Sequence, residues 1–269
     1  MILYGGKIVK RVLIAGKDSY IGTHFRDYLK QFPNEYYVEE LDVRDASWKQ
    51  FDFSKFDVVY HVAGIAHIKE TKENANLYYK VNRDLAVDIA NLAKTNGVKH
   101  FIFMSSMSVY GLIYSKELIT KKTATNPKTN YGKSKLQAEN EILKLADDNF
   151  KVSVLRPPMV YGKNSPGNMT KLVNMVKKIH IFPTLKNERS SITIEKLCEC
   201  ILDTIKYEKK GIILPQNDQY MCTYDTIRNQ MNEENVGVWY ISLFNPLLKI
   251  MIGKVGVVTK MFGDLKYEK

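Results

Sequence analysis

"RVLIAGKDSYIG" (Arg11–Gly22) is the stretch on which the fold turns. A short apolar run ends at a glycine and passes directly into "YIGTHFRDYLKQF", where Ile21, Phe25, Tyr28, Leu29 and Phe32 recur at helical spacing. Gly16, Ser19 and Gly22 give G-x-x-S-x-x-G at a strand–turn–helix junction, the context in which a glycine turn acquires chemical meaning. Main-chain N–H groups at that helix N-terminus, together with its dipole, suit a pyrophosphate. Gly16 permits the tight turn, Gly22 permits close packing of helix on strand, and Tyr20 and Ile21 lie between them as further expected cofactor contacts. Ser19 stands where a middle glycine is common, so a slightly different approach to the phosphates is expected. A strand–turn–helix without a ligand is the alternative.

Outward from this unit, "YYVEELDV", "FDVVYHVAG", "VKHFIFMSS" and "KVSVLRPPMV" read as strands. The helical patterns "NLYYKVNRDLAVDIANLAKTNG" and "SKLQAENEILKLADD" alternate with them. Apolar strand centres at this pitch predict an α/β chain with a Rossmann-like, doubly wound parallel sheet covered on both faces. Residues 1–160 are expected to form the dinucleotide-binding domain, and 161–269 a smaller, interwoven substrate lobe. Thr193 is placed to cap the helix "IEKLCECILDTIK".

Asp42 lies twenty residues beyond Gly22, where a carboxylate accepts hydrogen bonds from the adenine ribose, and Val43 follows it. An acid there favours NAD over NADP, although Arg44 two residues on can pair with a 2′-phosphate. The 269 residues carry a formal net charge of +11, which favours anionic partners. The lysines are dispersed and no zinc spacing or nucleic-acid motif accompanies them, so neither a metal nor nucleic acid is expected. Three cysteines without a framework spacing fit a reducing, cytoplasmic setting. No stretch of 18 uninterrupted apolar residues predicts a spanning helix.

"YGKSK" places Tyr131 and Lys135 on one helix face, and of seventeen tyrosines this is the only one with lysine at +4. A phenol is a poor base near neutrality. A neighbouring ammonium and a cationic nicotinamide would bring it toward the working range. Ser106 of "MSSMSVYG" follows a buried strand, at the carboxyl edge where doubly wound sheets bind ligands.

In this order the segments G-x-x-S-x-x-G, "HVAG", "VN", "MSSMSVYG", "YGKSK" and "LRPPMVYG" resemble the extended short-chain dehydrogenases/reductases. More narrowly they resemble the NAD-dependent epimerase/dehydratase family that acts on nucleotide sugars. The resemblance runs from about Val12 to about Leu214. It implies a catalytic set of Ser106, Tyr131 and Lys135, and cofactor contacts from Ala63, Gly64, Asn82 and Pro158. Ser106, Ser108, Tyr131, Asn168 and Arg189 are implied on the substrate side. Glu195 stands where the family usually has Asp, and the substrate lobe is short. Family dehydratases usually carry Asp-Glu after the catalytic serine, whereas Met107 and Ser108 offer no carboxylate. The expectation is an NAD-dependent UDP-hexose 4-epimerase working through a transient 4-keto sugar. An NAD(P)H-dependent reductase of the 4-keto sugar, and a non-catalytic NAD(P)-binding sensor, are the alternatives.

His61 and His67 are expected to pack or make structural hydrogen bonds, and Tyr110 and Tyr161 are read equally as pocket or core. The apolar stretch 236–258 is expected in the core of the small lobe. A peripheral membrane face or a homodimer interface is its other reading.

Overall fold

Six parallel strands make the central sheet of the computed structural model, which describes residues 3, 4, 7–66, 68, 70–166 and 168–269, without the side chains of 3, 4, 7, 8 and 168. An antiparallel pair, β1 (Leu3–Tyr4) and β2 (Lys7–Ile8), precedes it. β3 (Lys10–Ala15) then leads through the glycine turn into α1 (Tyr20–Leu29), followed by β4 (Tyr36–Leu41) and β5 (Val58–His61). α2 (Ala75–Tyr79) and α3 (Leu85–Thr95) precede β6 (His100–Met104), and α4 (Asn130–Lys144) precedes β7 (Lys151–Leu155). Next come β8 (Met159–Tyr161), α5 (Asn168–Ile179), β9 (Ile181–Pro183), β10 (Ser191–Thr193), α6 (Ile194–Lys206) and β11 (Gly211–Ile213). The chain ends with α7 (Thr223–Glu233), β12 (Trp239–Ile241), α8 (Asn245–Met251) and α9 (Gly256–Phe262).

The sheet order is β11-β7-β6-β5-β3-β4. After β4 the chain crosses β3 to lay down β5, so the topological switch falls at β3. Strand alternation divides the core as the apolar runs require. Leu13 and Ala15 join Val59, Phe101 and Ile89 on one face, while Val12 and Ile14 join Tyr60, Ile102 and Leu197 on the other. A third cluster, built on Val176, Phe182, Ile227, Met231 and Phe262, holds the small lobe.

Three readings change. The long helix expected before β6 is interrupted by a π turn, Lys80–Asp84. "KVSVLRPPMV" is two strands, because Pro157 and Pro158 lack the N–H a ladder needs; β8 leaves the main sheet and pairs with β10. The stretch 236–258 is only half core. Val238, Tyr240, Leu248, Ile252 and Val258 pack against the lobe cluster, while other large apolar side chains of β12 and α8 face solvent. Alternation along a strand and the 3.6-residue helical period place these on opposite sides. Among the described residues no helix is long and apolar enough to cross a membrane, and no acidic, histidine or cysteine cluster is placed to hold a metal.

Candidate active site

Just beyond β6 two serines turn opposite ways, as consecutive residues of extended backbone do. Ser105 is buried and its hydroxyl donates to the Glu139 carboxylate. Ser106 faces the cleft and caps the short 3-10 turn Met107–Tyr110, its Oγ accepting from Ser108 N at 3.1 Å and donating to Ser108 Oγ at 3.1 Å. The next element, α4, is fixed at its N-terminus from two sides. Thr129 Oγ1 accepts from Gly132 N at 3.1 Å, and the Glu70 carboxylate accepts from Asn130 N at 3.0 Å and Tyr131 N at 3.1 Å. Gly132 lets the two elements meet, since a Cβ there would stand 2.7 Å from the Ser108 carbonyl. Ser106, Ser108, Tyr131 and Lys135 thereby line one cleft of about 980 Å³.

Lys135 is buried, donates to the Met104 carbonyl at 2.8 Å and lies 4.7 Å from the Phe103 ring centroid. Burial lowers its pKa to about 7, with Glu139 opposing. Burial also raises the Tyr131 phenol, against a hydrogen bond with Ser106 that lowers it. In the protein alone desolvation therefore outweighs any help the phenol receives from neighbouring charge. A sign follows for stability. Charging Lys135 in the fold is disfavoured fully below about 7, and the penalty vanishes as pH rises toward the ordinary 10.5. Lys135→Met is expected to be most stabilised over wild type below neutrality and to lose that margin near the ordinary lysine value. A difference in thermal midpoints that stays constant with pH would contradict this.

The glycine turn forms the other wall. Gly16 has φ 133°, and a Cβ on it would come within 2.7 Å of Ala63 N. A Cβ on Gly22 would collide with Ser19 Oγ and come within 3.1 Å of Val62. Ser19 is the N-cap of α1, its Oγ accepting from Gly22 N at 3.2 Å. The N–H groups of Gly16 and Lys17 donate to the Leu41 carbonyl, and the first-turn N–H groups of Tyr20 and Ile21, which have no partner among the described residues, suit a phosphate. Tyr20, Ile21 and Pro158 line the cleft, and Ala63 is buried beside it. At Gly64 a Cβ would stand 2.8 Å from Asn82 Oδ1 and 3.2 Å from Lys135 Nζ, so only glycine keeps this approach open. Asn82, fully buried in the π turn, fixes that loop: Oδ1 accepts from Ile65 N at 2.8 Å and Nδ2 donates to Ile65 O at 3.0 Å. These open approaches, with the free N–H groups, fit a dinucleotide running from α1 to Lys135.

Val43 is buried, while Asp42 is half-exposed and gripped by Arg44, whose Nε donates at 2.9 and 3.0 Å to its two carboxylate oxygens. That pairing lowers Asp42 to about 2, and Arg44 also reaches Asp18 at 3.2 Å. Arg189 lines the cleft, with Nη1 donating to the Gly263 carbonyl at 2.6 Å. Asn168 opens α5, but its side chain and the whole of His67 lie outside the described residues. His61 is buried and stacks on Phe101 and Phe103; burial, with the Lys135 charge, lowers its pKa to about 3. Neither ring nitrogen has a hydrogen-bond partner among the described residues. Tyr110 is core, its hydroxyl donating to the Thr120 carbonyl at 3.1 Å, and Tyr161 accepts from Asn217 Nδ2 at 2.9 Å.

Sequence reasoning missed the support beneath the cleft. Glu139 and Arg156 form a buried ion pair, with Arg156 Nη2 2.6 Å from Glu139 Oε2 and Nη1 3.0 Å from the Tyr110 hydroxyl. The Tyr267 hydroxyl donates to the Arg156 carbonyl at 2.7 Å. The available signal was Glu139 itself, a charge one turn after Lys135 and beside Ala138 on the apolar side of α4.

The model of the NAD dependent epimerase/dehydratase family matches residues 5–212. A UDP-glucose 4-epimerase of Vibrio cholerae is 28% identical over 97% of this chain and 88% of that protein. An N-acetyl-alpha-D-glucosaminyl-diphospho-ditrans,octacis-undecaprenol 4-epimerase of Escherichia coli O157:H7 is 28% identical over 75% of this chain and 63% of its own length. In fold, the chain is similar to the UDP-glucuronic acid 4-epimerase of Bacillus cereus solved with NAD, with a TM-score of 0.72 at 18% identity over 87% of this chain and 86% of that one.

Proposed function

We propose, because the chain belongs to the NAD dependent epimerase/dehydratase family, that it is an NAD-dependent 4-epimerase of a diphosphate-linked hexose, with UDP as the carrier. The observation that carries this reading is the convergence of Ser106, Tyr131 and Lys135 on the cleft that the α1 N-terminus also enters. Bound NAD would supply the hydride acceptor and donor. Tyr131 Oη takes the proton from the C4 hydroxyl and returns it after the 4-keto sugar has turned over. Ser106 Oγ hydrogen-bonds the same oxygen and holds it against the phenol. Lys135 fixes the nicotinamide ribose, and Arg189 with Asn168 bears the diphosphate. Met107 and Ser108 provide no carboxylate for elimination, which favours exchange of configuration over loss of water.

NAD is favoured over NADP, since Arg44 is already held by Asp42 and Asp18, and a 2′-phosphate would compete with both carboxylates. Asp42→Ala is expected to shift relative affinity toward NADP by about tenfold, the worth of one charge-assisted hydrogen bond. Equal NAD and NADP dissociation constants in wild type and variant alike would remove this argument.

A second reading keeps the chemistry and changes the carrier to a polyprenyl diphosphate, as the name of the Escherichia coli relative says of that protein. An all-apolar groove beside the cleft favours it, because Met175 and Met261 line both. The deciding experiment incubates the protein, without added cofactor, with UDP-, dTDP- and GDP-sugars and with a polyprenyl-diphosphate sugar, and follows products by NMR. C4 epimers from one carrier class assign it. Conversion only with stoichiometric NAD(P)H transfers the assignment to a reductase, and a 4-keto-6-deoxy product refutes the argument from Met107 and Ser108.

A further inference from the structure

Between β12 and α9 the chain turns large apolar side chains to solvent. Trp239, Leu243, Phe244, Leu247, Ile250 and Val257 are all more than half exposed, Trp239 and Leu243 at 77% and 78%. The arrangement is ordered. Leu247 and Ile250 are three apart on one face of α8, while Leu248 and Ile252 pack into the lobe core behind them. Trp239 pairs in register with Ile181, itself 47% exposed, and Phe244 shares a 330 Å³ groove with Ile179 and Ile181. A continuous exposed patch of this kind marks a contact surface.

Charge identifies the partner. Residues 236–263 contain Lys249, Lys254 and Lys260 and no acid, and residues 165–187 contain Lys171, Lys177, Lys178 and Lys186 and no acid. These seven lysines account for seven of the formal excess of +11. Two are engaged from α7 and its end, Lys177 by Glu234 and Lys186 by Asp225 at 4.0 Å. The other five have no ion pair among the described residues; Lys171 and Lys260 line the cleft, and Lys178, Lys249 and Lys254 are exposed outside it. A second copy docked by a two-fold axis through this face would set the unpaired lysines against one another, while the two carboxylates that reach the face, Glu234 and Asp225, are already engaged within the chain. At seven residues, α8 is far short of the roughly 20 that span a bilayer.

We propose that this face docks the protein on the surface of an anionic phospholipid bilayer. The indole and aliphatic side chains enter the interface, and the lysines reach the headgroup phosphates with their stems along the apolar surface. Because groove and cleft share Met175 and Met261, docking places the cleft beside the membrane whichever carrier the sugar has.

Flotation of the whole protein with two kinds of vesicle tests this: phosphatidylcholine alone, and equal parts phosphatidylcholine and phosphatidylglycerol. Flotation only with the anionic vesicles is expected, together with a blue shift of tryptophan emission. Trp239 reports that shift, because Trp48, the other tryptophan, is already buried. Leu247→Asp with Ile250→Asp should lower partitioning by roughly tenfold or more. Lys249→Glu with Lys254→Glu should lower it by about fivefold or more per lysine. Both pairs are exposed and away from the cleft, so retained nicotinamide binding verifies that the variants fold. Failure to float with either vesicle, or equal flotation with both, overturns the proposal. So does a vesicle-free dimer, seen by light scattering, that Leu247→Asp with Ile250→Asp dissociates.

Discussion

Tyr131→Phe is expected to lower turnover by about three orders of magnitude while the protein keeps its nicotinamide cofactor, the loss ordinarily seen when a positioned acid–base group is removed. The two effects separate because of how the residue is held. Thr129 and Glu70 grip the helix N-terminus through main-chain N–H groups, so the phenylalanine ring inherits its place. The first turn of α1, Gly64 and Lys135 are untouched, and the only loss is the oxygen beside Ser106. Turnover of the epimerised sugar, with cofactor released on denaturation and quantified, reads both halves. Undiminished turnover would remove the site assignment altogether. Loss of cofactor in parallel with turnover would mean that the phenol helps to build the binding site.

Arg156→Met is expected to destabilise the protein by about 3–5 kcal/mol, the usual consequence of stripping one partner from a buried ion pair. For a chain of this size that is a fall of about 10 °C in the thermal midpoint. Glu139 is fully buried and would keep only Ser105 from the present network, and Tyr110 would lose the guanidinium at its hydroxyl. Adding Glu139→Met should recover much of the loss, since neither member of the pair is then left buried without the other. An Arg156→Met protein that unfolds at the wild-type temperature would show that the pair contributes nothing net. The consequence reaches the chemistry, because the network ties α4 to the end of β6, where Ser106 begins.

The inner strands β3, β5, β6 and β7 were legible because they are covered on both faces and read as apolar runs. Ser19, Thr193, Gly16 and Gly22 were legible because caps and tight turns are local. What escaped depends on residues distant in the chain. Glu70 reaches Tyr131 across 61 positions, and nothing near Glu70 announces an errand at a helix start. Arg156 meets Glu139 only once β7 and α4 have packed, so the place of Glu139 on the apolar side of α4 hints at burial without revealing its partner. The direction of the Tyr131 shift escaped for a similar reason. Spacing reveals a lysine neighbour but not the depth of burial that outweighs it. Stretch 236–258 was read by average hydrophobicity, which cannot say which of two faces finds a partner.

The π turn at Lys80–Asp84 has one more effect, on phase. An α-helix advances about 100° per residue, so one extra residue in a turn sets everything upstream at a new azimuth while α3 keeps its own. Upstream, the buried Tyr78 donates to the Ile68 carbonyl at 2.9 Å, and Tyr79 to Asn130 Oδ1 at 3.3 Å, the residue just before Tyr131. Downstream, Ile89 and Ala93 face the sheet. A single-residue deletion within the turn would restore a regular helix with its apolar composition intact. It would also rotate Tyr78 and Tyr79 away from both contacts. The insertion works as a coupling between two helical halves that answer to different neighbours, and Asn82 sits at the joint.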